Sequence, residues 1–217
     1  MGVARKVVHR STHRMVGAIP CLGKNAKLVE WESHLERDAI DILRFHPDVT
    51  YIDSQVLWLE YLDQNDQVHK HCPDLYVIYK DKPLWIEVKL QKFVDEFQER
   101  TRLLTEIVRL KGENYSVMDE TVIRIEPRLS NIQLLLRYQL LQPSAVIKNK
   151  TEALFVSGFS ASIETLIEVH GFDLLTLYSL LCHHHLRTDL HTPITRKSIV
   201  SRFVSGQEIL SDEEILN

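Results

Sequence analysis

The chain has 217 residues, 44% of them hydrophobic and 26% charged, with 7 Gly, 7 Pro and a formal net charge of −4. Those proportions are those of a soluble folded protein and exclude a disordered, fibrous or membrane-embedded one. The length allows one large domain, or one of about 140 residues with a smaller companion.

Cys21, Cys72 and Cys182 lie far apart without CxxC spacing. This argues against a disulfide framework or a structural zinc site and suits a reducing cytoplasm. No apolar stretch reaches the ~18 residues needed to cross a bilayer, and the N-terminus lacks the apolar segment of a secretory signal. The expectation is a cytoplasmic protein without membrane contact. Charge is uneven: residues 1–29 carry Arg5, Lys6, Arg10, Arg14, Lys24 and Lys27 with no acid, leaving −10 for residues 30–217. Such a basic arm attracts phosphates, whereas an acidic body repels DNA, so a role on DNA calls for a recruiting partner. The plain alternative is a solvated basic tail.

In chain order, residues 33–44 are predicted to be helical, with Leu35, Ala39, Ile42 and Leu43 at helical spacing and Pro47 closing the element. Extended segments are predicted at 49–52, 55–62 and 68–79, with Pro73 inside the last and a turn at Asp63-Gln64-Asn65-Asp66. After a turn at Lys80-Asp81-Lys82-Pro83, residues 84–90 read as a strand. Leu84, Ile86, Val88 and Leu90 share one face; Trp85, Glu87 and Lys89 share the other. A helix is predicted over 92–111, stopped by Gly112, then a strand at 121–125 and a Leu-rich helix at 129–141. Residues 30–142 thus read as an α/β domain, a mixed sheet flanked by helices. Gln142-Pro143-Ser144 is the expected boundary. Residues 143–217 read as a small helical domain, with helices at 163–170, 174–186 and 195–203 and a frayed acidic tail.

The chemistry lies in the first domain. Hydrolysis of a phosphodiester is very slow in water, and divalent cations held by carboxylates can activate water and neutralise the leaving oxygen. Magnesium takes only one or two protein carboxylates, so a few acids must converge on an open edge. A nearby lysine can orient the water or balance charge. Pro73-Asp74 opens one apolar strand and Glu87-Val88-Lys89 lies on the next, so a hairpin brings Asp74 beside Glu87 and Lys89. The plain alternatives are a surface ion pair for Glu87 and Lys89 and loop capping for Asp74. Glu36 follows Ser33 at the spacing of a helix capping box, in which the glutamate bonds back to the Ser33 amide, and capping alone explains both residues.

The segment Glu30-Trp31-Glu32-Ser33-His34-Leu35-Glu36-Arg37-Asp38, followed by His46-Pro47-Asp48-Val49, Gln55, Pro73-Asp74 and Glu87-Val88-Lys89, resembles the TnsA family of Tn7-like transposon endonucleases. Asn131-Ile132 to Tyr138 is similar to that family's closing helix. The resemblance implies a restriction-endonuclease-like core of the PD-(D/E)xK type followed by a winged-helix-like domain. It implies that Glu36, Asp74 and Glu87 bind magnesium, with manganese able to substitute, that the backbone oxygen of Val88 can join them, that Lys89 is the catalytic lysine, and that Ser33 and Gln55 support the site. The implied activity is cutting the 5′ ends of a transposon in double-stranded DNA. The implied partners are a TnsB-like DDE transposase and a TnsC-like AAA+ ATPase that docks on the C-terminal domain. A stand-alone restriction or junction-resolving nuclease and a catalytically silent scaffold are the other readings.

Outside this constellation, His183-His184-His185 read as helix surface, because consecutive helical residues fan out over about 200 degrees. His69 and His71 share a strand face, from which one can reach the site. Arg100, Arg102, Arg109 and Lys111 interleave with Glu96, Glu99 and Glu106 as on a solvated helix. Neither a Gly-rich phosphate loop nor a GxSxG elbow is present, which argues against an ATPase or a serine hydrolase.

Overall fold

The computed structural model describes residues 15–21, 28–156, 158–204 and 215. They form two compact units that divide between Arg124 and Ile125. Most of the basic arm and the acidic tail lie outside the described residues. The described part of residues 15–31 is extended: β1 (Gly17–Pro20) pairs antiparallel with β2 (Leu28–Trp31).

In the first unit, α1 (His34–Phe45) begins at Ser33, whose hydroxyl accepts the Glu36 amide, and ends at His46, which is extended ahead of Pro47. Its apolar stripe, Ala39, Ile40, Ile42 and Leu43, is buried. β3 (Val49–Ser54) comes next. The segment expected as one strand at 68–79 is two. β5 (Val68–His71) pairs only with β4 (Leu59–Leu62), whereas β6 (Leu75–Tyr79) lies in the main sheet. The break falls at Cys72-Pro73-Asp74, where proline has no amide to give a ladder. Likewise residues 55–58 are not strand: Gln55, at φ 46, ends β3.

β7 (Lys82–Val88) pairs antiparallel with β6 and parallel with β8 (Asn114–Met118), giving a mixed sheet of order β3-β6-β7-β8. The parallel pair requires a crossover. It is made by α2 (Gln91–Val94), a 3-10 turn at Asp95–Phe97 and α3 (Gln98–Leu110), and Gly112, at φ 75, comes just after the helix end. The strand expected at 121–125 is instead α4 (Glu120–Ile123), because the Asp119 carboxylate accepts the Thr121 amide at 2.8 Å and caps a helical turn. Both faces of β7 are covered. α1 packs against β3 and β7, while α3 lies over β8 and β4 with Leu104 and Val108 in one cluster with Trp85, Tyr115, Leu59 and Val56.

The second unit starts earlier than expected. Its first helix, α5 (Arg128–Leu136), contains the residues similar to a nuclease closing helix, yet the buried Asn131 ties it to its own unit. Asn131 donates to the carbonyls of Leu190 and Thr192, each at 2.8 Å, and accepts the Ile194 amide at 3.2 Å. Residues 128–136 therefore belong to the second unit, and Gln142-Pro143-Ser144 is an internal turn. Beyond it come α6 (Ala145–Leu154), β9 (Ser160–Ser162), α7 (Ile163–Glu168), α8 (Leu174–Cys182), β10 (Leu186–Thr188) and β11 (Ile199–Arg202). The helix expected at 195–203 is thus strand, as the β-branched pair Ile199-Val200 favours, and β10-β11-β9 form an antiparallel sheet. The unit is helical and sheeted, not helical alone. No helix among the described residues is long and apolar enough to cross a membrane.

Candidate active site

The hairpin of β6 and β7 sets the site. Leu75 stands opposite Ile86, which carries Asp74, one residue before β6, to the level of Glu87 and Val88. The Asp74 backbone is fixed by its carbonyl, which accepts the Gln55 amide at 3.1 Å. Its side chain crosses to the next strand, where Asp74 Oδ2 accepts the Val88 amide at 2.8 Å. Lys89 is held by its amide, which donates to the Met118 carbonyl at 3.1 Å. Its ammonium lies 2.8 Å from Glu87 Oε1 and 4.0 Å from Asp74 Oδ2.

Glu87 is not the surface residue that a plain sheet ion pair would require: its side chain is 2% exposed and that of Lys89 28%. Burial is tolerated because Glu87 has three donors. Besides Lys89, His71 Nε2 of β5 stands 2.7 Å from Oε2, and Arg100 Nη2 of α3 stands 3.4 Å from Oε1. Arg100 also lies on the Phe97 ring, 4.2 Å from its centroid.

Glu36 reaches the same cleft from α1. Its carboxylate accepts the Ser33 hydroxyl and the Glu32 amide, each at 2.8 Å. The capping geometry expected from sequence is therefore present, with the back-bond going to Glu32 rather than to Ser33. Capping and cleft position coexist in one residue. Ser33→Ala is expected to cost about 1 kcal/mol in denaturant unfolding and to release Glu36 from one of its two anchors.

A cleft of about 430 Å³ collects these groups, lined by Glu32, Ser33, Glu36, Trp58, His71, Cys72, Asp74, Glu87 and Lys89. Its electrostatics are asymmetric. Burial, and then the charge of Glu87, push the Asp74 carboxyl well above its ordinary range, although Lys89 opposes them. Burial would raise Glu87 too, but His71 and Lys89 outweigh it and hold Glu87 low. Burial also raises Glu36, offset in part by the Glu32 amide and the Ser33 hydroxyl. Lys89 would be depressed by burial, yet Asp74 and Glu87 hold its ammonium above the usual lysine range. As it stands, Lys89 is a cation suited to balancing charge.

The carboxylates in this arrangement are occupied by internal donors, and among the described residues no three His, Cys, Asp or Glu side chains form a ready metal cluster. The donor chemistry nevertheless fits a hard divalent cation. Four carboxylates, those of Glu32, Glu36, Asp74 and Glu87, line one cleft, Asp74 is crowded by like charge, and magnesium needs only one or two direct protein ligands.

Sequence patterning placed Asp74, Glu87 and Lys89 here, the family resemblance added Glu36 and Ser33, and the structure brings the five together. Gln55 acts through its backbone on Asp74, and Val88 through its amide. His71 is the histidine of β5 that reaches the site, while His69 pairs with Asp63 at 2.9 Å. Arg100 departs from the expected solvated helix, on which Arg102 does pair with Glu99 and Glu106. The available signal was its spacing: Arg100, Leu104 and Val108 lie at i, i+4 and i+8, on the buried stripe.

The mixed sheet thus carries Asp74 just before β6 and Glu87 near the end of β7, with Lys89 one residue beyond it, at a polar cleft. The comparison with known families agrees: residues 46–120 match the model of the TnsA-like endonuclease N-terminal domain. That part of the chain is similar to a TnsA-like endonuclease domain. The matched span includes Asp74, Glu87, Val88 and Lys89; Glu36 and the second unit lie outside it. No curated protein matches the chain.

Proposed function

We propose that this chain is the metal-dependent endonuclease subunit of a heteromeric Tn7-like transposase, cutting the 5′ ends of the element by phosphodiester hydrolysis. The observation that carries the reading is the convergence of Glu36, Asp74, Glu87 and Lys89 on one cleft of a TnsA-like endonuclease domain. Magnesium, or manganese in its place, would be held by Glu36, Asp74, Glu87 and the backbone oxygen of Val88, and when bound would activate water and neutralise the leaving oxygen. Asp74, fixed at its own carbonyl by Gln55, presents its carboxylate at the cleft floor. Glu87 holds the Lys89 ammonium beside it, and Lys89 balances the charge that builds on the phosphate. His71 and Lys89 keep Glu87 ionised, and Arg100 helps to hold it in place.

The second unit is proposed to be a winged-helix-like module. This rests on α6, α7 and α8 accompanied by the antiparallel sheet β10-β11-β9. It would dock a TnsC-like AAA+ ATPase, while a TnsB-like DDE transposase cuts the 3′ ends. An overall charge of −4 fits a cytoplasmic nuclease that cuts double-stranded DNA only where partners place it.

The test is strand-specific cleavage of a transposon-bearing plasmid by the chain together with its transposase. In magnesium, 5′-end cuts are expected beside 3′-end cuts; with the metal chelated, the 5′-end cuts are expected to vanish and to return with manganese. Efficient cutting by the chain alone would favour a stand-alone nuclease. Complete absence of 5′-end cuts in magnesium would favour a scaffold.

A further inference from the structure

The second unit contains a pocket that the nuclease chemistry does not use. It measures about 110 Å³ and is enclosed by Lys148, Thr151 and Glu152 of α6, by His184 and His185 after α8, and by Arg202 and Phe203 at the end of β11. Its walls are fixed by the backbone. Sequence patterning puts the three consecutive histidines on a helix, but α8 ends at Cys182 and His184 turns at φ 54. The turn directs the His185 amide to the Leu180 carbonyl at 2.9 Å, and the His185 carbonyl accepts the Phe203 amide at 3.3 Å. The Phe203 ring lies 5.3 Å from that of His184. Thr151 is buried and turns its hydroxyl back to the Ile147 carbonyl at 2.8 Å.

Basic side chains outnumber acids among the residues that line this pocket. Lys148, Arg202 and the two imidazoles face one carboxylate, Glu152, among the lining residues. Among the described residues, no hydrogen bond or ion pair engages the side chains of Lys148, His185 or Arg202. Burial, and next the charge of Lys148, hold the His185 imidazole below its ordinary range, although Glu152 opposes them. A guest bearing negative oxygens would satisfy three nitrogen donors at once and offset the Lys148 and Arg202 charges. A second cation or a neutral apolar guest would do neither.

We propose that this pocket binds a phosphate group, taken from the backbone of double-stranded DNA. The choice of DNA rests on the nuclease reading; the phosphate chemistry stands without it. A single backbone contact in the second unit would hold DNA weakly and without sequence preference, consistent with an acidic chain.

The experiment tracks the histidine ring signals of the full isotope-labelled chain by NMR during titration with inorganic phosphate and, separately, with a short duplex of arbitrary sequence. The duplex is also titrated by fluorescence anisotropy at several salt concentrations. Wild type is compared with the Lys148→Gln, Arg202→Gln double variant, whose folding is checked by its unfolding midpoint. The expected result is movement of the His185 signals with both ligands in wild type and with neither in the variant, and a log–log salt slope for the duplex reduced by about one. Movement with inorganic phosphate while the duplex neither moves His185 nor changes its slope would overturn DNA as the source. Stationary His185 signals with both ligands would overturn the pocket. None of these readouts requires cleavage, so a chain that cuts nothing still decides the matter.

Discussion

Asp74→Asn is expected to lower DNA cleavage by about 10³-fold or more, close to 4 kcal/mol of transition-state stabilisation, while the unfolding midpoint stays level or rises. The two halves of this outcome have one cause. Asp74 is held in a buried position beside Glu87, where burial first and that neighbouring charge second both disfavour its ionised form. An acid raised in this way weakens the fold at pH values above its unfolded pKa, so a neutral amide relieves a burden. The amide oxygen can still accept the Val88 N–H that Asp74 Oδ2 accepts now. Lost with the charge is the hard anionic ligand that the proposed metal site calls for. Calorimetric unfolding with and without magnesium separates the effects: wild type is expected to gain stability from the metal, and the variant to gain much less. A variant that cuts normally, or one that responds to magnesium as wild type does, would remove Asp74 from the site.

Lys89→Met is expected to reduce cleavage by about 10²–10³-fold, this time with a loss of about 1–3 kcal/mol in denaturant unfolding. Methionine retains the length and apolar bulk of lysine but not its charge. Glu87, 2% exposed, then loses the donor at 2.8 Å and is left with His71 and the longer contact from Arg100. A buried carboxylate that loses one of three donors is destabilised, though less than one left without any. Asp74 simultaneously loses the Lys89 charge that counteracts its burial. Opposite stability responses at Asp74 and Lys89, alongside similar losses of activity, are the signature of this site. Equal stability losses in both variants would point to an ordinary structural ion pair instead.

The legible part of the fold is the part written in short-range alternation. Leu84, Ile86 and Val88 against Trp85, Glu87 and Lys89 define β7, and the capping pair Ser33 and Glu36 defines the start of α1. Those two elements and Pro73-Asp74 are enough to place the floor of the cleft. Alternation did not reveal that β7 is covered on both faces, because the cover of its second face is the crossover helix, whose register depends on the parallel partner β8. β8 itself was hidden by Asp119, a cap that turns the adjacent Thr121-Val122 into helix although their side chains favour strand. The early start of the second unit was hidden for a different reason. Asn131 looks like any polar helix residue until the loop at 190–194 folds back to it, a contact across some sixty positions. Arg100 was obscured by its acidic neighbours, which give α3 the composition of a solvated helix although its own stripe is buried.

That stripe has a consequence for how such a protein changes over time. Arg100 reaches Glu87 from the same face of α3 that buries Leu104 and Val108 against Trp85. Inserting or deleting a residue in the crossover would rotate all three together, dislodging the guanidinium from Glu87 and the leucine from its packing in one event. Drift in the loop before α3 is therefore constrained twice, by solubility and by chemistry. Variation is expected to collect on the opposite face, where the exposed Arg102 pairs with Glu99 and Glu106.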